Sequence, residues 1–202
     1  MSGATIWLLV ALGLGVVVVR RRSAAVGLVT AQALLLAVTA VDGASRSDAW
    51  SAAALTVRAL ALGTLLLLVV ARTREPRLLR TGIAPLVRGG LAVALALAMT
   101  WLVPAMGLAS RNSERGVLAL IAFGLATAAT RTATLFQVLG IVLAENGLAL
   151  AALELPRGSS LVIELGVAFD LTLVALVAAA FHERIFAEFG AGDDAALRSL
   201  RD

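Results

Sequence analysis

The sequence contains no cysteine and no lysine, and it has a single histidine, His182, among its 202 residues. The absence of cysteine excludes disulfide bonds, thiolate metal sites and a cysteine nucleophile. A single histidine excludes a paired-histidine metal site, and no glycine-rich phosphate-binding loop is visible. All 17 basic residues are arginine, which suggests a GC-rich bacterial genome. The net charge of +4 is attributed to loop arginines, so nucleic acid is not expected as a partner.

Apolar side chains, in contrast, are abundant: 60% of the residues are hydrophobic and the mean hydropathy is +0.97. This composition indicates an integral membrane protein whose surroundings include the lipid bilayer. A spanning helix needs about 20 mostly apolar residues. The sequence therefore predicts an all-α polytopic bundle of about seven transmembrane helices. The predicted spans are roughly 3–19, 24–41, 49–71, 89–109, 115–131, 132–153 and 159–182.

The arginines outside the spans predict the orientation, because cytoplasmic loops carry an excess of positive charge. Twelve arginines fall on one side: Arg20, Arg21, Arg22, Arg72, Arg74, Arg77, Arg80, Arg88, Arg131, Arg184, Arg198 and Arg201. Four fall on the other: Arg46, Arg111, Arg115 and Arg157. We therefore expect an external N-terminus and a cytoplasmic C-terminus in a bacterial cytoplasmic (inner) membrane. Because Arg20–Arg22 follow the first apolar stretch, that stretch is expected to be a retained helix and not a signal peptide.

The chain divides into three predicted parts. Residues 1–110 form a four-helix membrane part, residues 111–189 a three-helix part, and residues 190–202 a cytoplasmic tail. The basic loop over residues 72–88 is interpreted as a topology signal or, alternatively, as a docking surface for a partner.

Three carboxylates, Glu145, Glu164 and Asp170, lie within apolar stretches, and so does Arg58. An acid at this depth costs about 2.5–3.5 kcal/mol on insertion scales. At 1.5 Å per residue, Glu145, Asp170 and Arg58 are placed at nearly the same depth on three helices, with Glu164 about 9 Å further outward. An acid can pair with Arg58 and hold helices together. However, at least two carboxylates would then lack a basic partner within the spans.

Carboxyl groups that gain and lose a proton in a dry environment are typical of a proton relay. On this interpretation Arg58 influences the protonation of neighbouring acids. It does not carry protons itself, since a guanidinium effectively stays charged. Asn146 and Gln137 are candidates either for anchoring a short water chain or for ordinary interhelical hydrogen bonds. Gly140 and Ala144 form a small-xxx-small pair that predicts close approach of another helix. His182 is interpreted either as a residue that interacts favourably with the dipole at a helix C-terminus or as a proton entry point.

The motifs "VLAENGLALAAL" and "LVIELGVAFDLTLVALV", with Glu-Asn-Gly at 145–147 and Glu164 followed by Asp170, resemble the hydrogenase-4 component E family. This family comprises membrane subunits of group 4 [NiFe] hydrogenases and formate hydrogenlyase-type complexes. The resemblance extends more loosely along the chain, although Arg58 replaces the lysine typical of the family. The last three predicted spans also resemble subunit K of complex I, with Glu145 and Asp170 in the places of its two membrane carboxylates.

The resemblance implies a non-catalytic membrane subunit that couples redox chemistry in partner subunits to proton or cation translocation. Glu145, Asp170 and Glu164 would transfer protons, with Arg58, Asn146 and His182 as auxiliary groups. No cofactor is expected in this chain. The nickel–iron centre and iron–sulfur clusters would belong to hydrogenase-like large and small subunits. The implied membrane partners are antiporter-like subunits and a relative of the H-type membrane subunit of complex I.

Three alternatives stay open at this point. The chain could be a subunit of a multisubunit cation/proton antiporter. However, the small antiporter subunit that is related to subunit K is shorter than this chain. It could be a purely structural membrane subunit whose acids pair with Arg58 or with partners. A self-contained transporter is the third, but no internal repeat or pair of broken helices of the kind that marks transporter sites is visible.

Overall fold

The computed structural model describes residues 1–40, 46–72 and 84–154, without the side chains of residues 46–51. Every regular element in these ranges is an α-helix, and the ranges contain no β-strand, so the all-α prediction is confirmed for them. The six helices are α1 (Gly3–Val18), α2 (Arg22–Ala40), α3 (Arg46–Arg72), α4 (Pro85–Leu102), α5 (Arg111–Thr130) and α6 (Thr134–Glu154).

Four of these helices, α2, α3, α4 and α6, are long and apolar enough to cross a membrane, as expected for a membrane protein. Helix α1 is apolar but only 16 residues long, and α5 begins with a charged segment that contains Glu114. The seventh predicted span, the tail at 190–202, and with them Glu164, Asp170 and His182, lie outside the described residues. The count of seven spans and the orientation of the termini stay predictions.

Capping residues and prolines set several helix ends. Ser2 and Ser110 are the N-caps of α1 and α5, and each side chain accepts a hydrogen bond from a backbone N–H three residues later. The fourth span, predicted at roughly 89–109, corresponds to α4, but the helix begins and ends earlier, at Pro85 and Leu102. Proline is well tolerated in the first helical turn. At the other end, Pro104 disfavours helical geometry at the residue before it, and Val103 is extended.

Helix α1 packs against α2, α4 and α5, and α6 packs against both α5 and α2. The α5–α6 interface is the most extensive in the part of the bundle that the structure describes. The two helices are joined by residues 131–133, so the tight join expected at Arg131 is confirmed. The predicted division at residue 110 falls between α4 and α5, which pack against each other, and it stays a prediction.

The α5–α6 interface brings backbone against backbone. A methyl group added at Gly124 would lie 2.5 Å from the carbonyl oxygen of Gly140 and 2.8 Å from the Ala144 side chain. One added at Gly140 would lie 2.6 Å from the carbonyl oxygen of Gly124 and 3.1 Å from the Ala128 side chain. The expectation that Gly140 and Ala144 allow close approach is therefore confirmed, with Gly124 and Ala128 as their counterparts on α5.

The attribution of the positive charge to loop arginines is wrong for part of the chain. Arg22 and Arg88 lie within α2 and α4, Arg131 is the C-cap of α5, and all three are buried, as is Arg58. Arg88 and Arg131 donate hydrogen bonds to the carbonyl oxygen of Val17, at 3.2 and 3.1 Å. These guanidinium groups satisfy carbonyl groups at the C-terminus of α1, which a helix otherwise leaves unpaired.

Candidate functional site

Arg58 and Glu145 form an ion pair between α3 and α6, with Arg58 Nη2 2.8 Å from Glu145 Oε2. The Arg58 side chain is 7% exposed and the Glu145 side chain 19%. Both residues lie next to the midpoints of their helices. The pair is therefore far from either end of the bundle, where water would screen its charges. A charge in such a place needs a partner and hydrogen bonds.

A second polar connection lies beside this ion pair. Asn146 Nδ2 donates a hydrogen bond of 2.9 Å to Gln32 Oε1, and Gln32 Nε2 donates one of 2.8 Å to the carbonyl oxygen of Leu9. Gln32 is fully buried and Asn146 is 2% exposed. Leu9 and Gln32 also lie within two residues of the middle of their helices, or about 3 Å along the axis. Four helices thus contribute polar groups at one level.

A small cavity of about 10 Å³ lies between α2, α3 and α6. Its walls include Arg58 and Asn146, one from each of the two polar connections. Apolar side chains such as Leu62 and Val142 complete it. About 10–15 Å³ of this kind of volume is the minimum that holds a water molecule. The cavity thus lies between the ion pair and the amide chain, by which we mean the hydrogen bonds that link Asn146, Gln32 and Leu9. It has room for about one water molecule.

The structure brings together three of the residues singled out in the sequence, Arg58, Glu145 and Asn146. Gln137 is not among them, because it lies near the start of α6, where its Nε2 donates a hydrogen bond of 3.3 Å to the carbonyl oxygen of Arg131. Gln32 was missed by sequence reasoning. The available signal was an isolated amide side chain in an otherwise apolar span, where polar groups usually find partners on other helices.

Other buried charges lie at the two ends of the bundle. At one end, burial, followed by the positive charges of Arg88 and Arg20, lowers the pKa of Arg131 to about 10, so its guanidinium stays charged at neutral pH. This group also lies 3.9 Å from the centre of the Phe136 ring, within the range of a cation–π contact. At the other end, Ser113 Oγ donates a hydrogen bond of 2.7 Å to Glu154 Oε2.

The central site can hold charge, exchange hydrogen bonds and accommodate a proton on a carboxylate. Glu145 Oε2 accepts a hydrogen bond from Arg58, and a protonated carboxyl group could also donate one. In the ranges that the structure describes, no three His, Cys, Asp or Glu residues come together in a way that could hold a metal ion.

No family model matches the chain, and no solved structure matches it significantly. The chain is similar to "Uncharacterized protein Rv0085" of Mycobacterium tuberculosis (strain ATCC 25618 / H37Rv), with 31% identity over 91 residues. The matched segment covers 45% of this chain and 41% of that protein, so the chain spans less than half the length of this relative.

Proposed function

We propose that the chain is a non-catalytic membrane subunit that moves protons through its interior as part of a hydrogenase-type complex related to complex I. The observation that carries the proposal is the Arg58–Glu145 ion pair near the middle of two helices. Ionisable residues at membrane depth are costly and commonly mark proton or ion pathways. The sequence resemblance to the hydrogenase-4 component E family supports the choice of complex.

In the proposed mechanism, Glu145 alternates between two states. As a carboxylate it is held by Arg58 at 2.8 Å. When it accepts a proton, its charge is neutralised and the attraction that holds the guanidinium is lost. Arg58 is then able to turn toward another acid, for which Asp170 is the proposed partner. Glu164 is proposed as an auxiliary relay on the outward side, and His182 as an auxiliary group.

Asn146 and Gln32 have a supporting role in this mechanism. Their hydrogen bonds fix the side of α6 that carries Glu145 against α2 and α1. A water in the cavity between Arg58 and Asn146 would connect the ion pair to the amide chain. Nickel, iron–sulfur clusters and the redox reaction are assigned to partner subunits. The proposed membrane neighbours are antiporter-like subunits and a relative of the H-type membrane subunit of complex I.

A second candidate function is purely structural, and the same ion pair favours it. A buried pair can hold α3 against α6 without any change of protonation, and removal of one partner then destabilises the protein. The two candidates differ in one respect. A structural pair stays ionised throughout, whereas a proton carrier changes its state during turnover. An antiporter subunit would share the proton chemistry and differ in its partner subunits.

The proposal is tested in sealed vesicles that contain the assembled complex. Glu145→Gln and Asp170→Asn keep the shape of each side chain and remove its titration. We expect assembly and the redox reaction to persist and redox-linked proton movement to fall sharply in both variants. Glu154→Gln, which changes a buried acid at the end of the bundle, is the matched control. Full proton movement in the double variant would overturn the proposal, and failure of assembly would favour the structural role.

We also propose seven spans with an external N-terminus and a cytoplasmic C-terminus. The support is the excess of arginine on one side, which includes the buried Arg22, Arg88 and Arg131 at the helix ends. Reporter fusions after Arg80 and after Asp202 are expected to report a cytoplasmic location. A periplasmic signal from either fusion would contradict this orientation.

A further inference from the structure

A groove of about 760 Å³ runs along the bundle between α1, α4 and α5. Its walls are largely apolar, with Leu14, Leu97 and Phe123 each from a different helix. Ala96 and Ala119 are buried at its base, so small side chains create the space. The volume falls within the range of about 300–1,000 Å³ that is typical of small-molecule sites.

The length of the groove matches the depth of one membrane leaflet. On α5 its lining residues extend from Arg111 to Phe123, which is about 18 Å at 1.5 Å per residue. On α4 they extend from Trp101 back to Val93, which is about 12 Å. Half of the hydrocarbon core is about 15 Å thick. The groove is therefore about as long as one leaflet of the hydrocarbon core is thick.

The charged groups of the groove all lie at its surface end. Arg111 and Arg115 are exposed there, and the half-buried Glu114 already accepts a hydrogen bond of 3.0 Å from the backbone N–H of Gly107. Two arginines and one acid leave a net positive charge. Trp7 and Trp101, both exposed, flank the same end, and tryptophan is enriched at the level of the lipid headgroups.

We propose that this groove binds one anionic phospholipid, with an acyl chain along its apolar walls and the phosphate at Arg111 and Arg115. The planar guanidinium group matches phosphate geometry, and arginine is a preferred residue for phosphate recognition.

The test measures bound lipid on the purified full chain by native mass spectrometry, with phosphatidylglycerol and phosphatidylcholine of identical acyl chains. We expect the parent chain to prefer phosphatidylglycerol. Ala96→Leu and Ala119→Leu fill the base of the groove and are expected to abolish the bound lipid. Ala98→Leu, on the exposed face of α4 outside the groove, is the matched control and should retain it.

The arginines are tested separately. Arg111→Gln and Arg115→Gln should each weaken phosphatidylglycerol binding about fivefold relative to phosphatidylcholine, since each surface arginine contributes about 1 kcal/mol toward anionic lipid. Equal lipid binding by the filled variants and the control would overturn the proposal. If the filled variants fail to fold, the Arg111→Gln and Arg115→Gln variants provide the test. An unchanged preference between the two lipids in these variants would overturn the proposal.

Discussion

The two sides of α6 are held against their neighbours in different ways. One side carries Gly140 and Ala144, which bring its backbone against α5 at a distance that leaves no room for a larger side chain. The opposite side carries Glu145 and Asn146, which face α3 and α2 and have a small cavity beside them. Residues five or six positions apart on a helix, such as Gly140 and Glu145 or Asn146, point in widely different directions.

This contrast shows how a membrane bundle can be tightly packed on one side of a helix and contain buried charge on the other. In lipid, helices associate through close packing and interhelical hydrogen bonds, since lipid tails are as apolar as the side chains. The α5 side of α6 relies on close packing and the α2–α3 side on polar contacts. A fixed backbone on one side holds Glu145 in register with Arg58 on the other, which the proposed proton transfer would require.

The largest expected effect follows from enlarging the packed side. Gly140→Leu would force α5 and α6 apart, because even a methyl group there lies 2.6 Å from the Gly124 carbonyl oxygen. We expect a loss of stability beyond about 4–5 kcal/mol, the range that marks exceptional substitutions. The yield and thermal unfolding of the purified chain measure it. Gly90→Leu, at a helical glycine with open space around it, is the control, and an equal loss there would contradict the packing account.

A smaller effect is expected on the polar side. Arg58→Met removes one partner of Glu145 and should cost about 3–5 kcal/mol, as is typical when one half of a buried pair is removed. The double substitution Arg58→Met, Glu145→Met removes both charges of the pair and should recover most of this loss. Unfolding in mixed detergent measures both variants. If the double variant is as unstable as the single one, the cost does not come from an uncompensated charge, and the two sides of α6 do not differ as described.

Much of this arrangement could be predicted from the sequence, and the reasons are specific. The lengths of the apolar stretches predicted the helices. Arg58 and Glu145 were noticed because a charged residue within such a stretch is energetically costly. The pairing of Gly124 with Gly140 required the register of two helices, which no single span encodes. Gln32 was overlooked because an amide in an apolar helix is common, and only its position opposite Asn146 makes it part of the site. Arg88 was assigned to a loop because its role as a cap for α1 depends on tertiary contact.

The central claim, that Glu145 changes protonation state and is not a permanent ionic clamp, is tested most directly by infrared difference spectroscopy of the complex during redox turnover. We predict a carboxyl C=O band, from the protonated acid, that disappears in Glu145→Gln and persists in Glu154→Gln. The second variant removes a buried acid that is hydrogen-bonded to Ser113 at the end of the bundle. A turnover spectrum that is unchanged in Glu145→Gln would show that Glu145 does not change its protonation state during turnover, and it would contradict the proposed proton transfer.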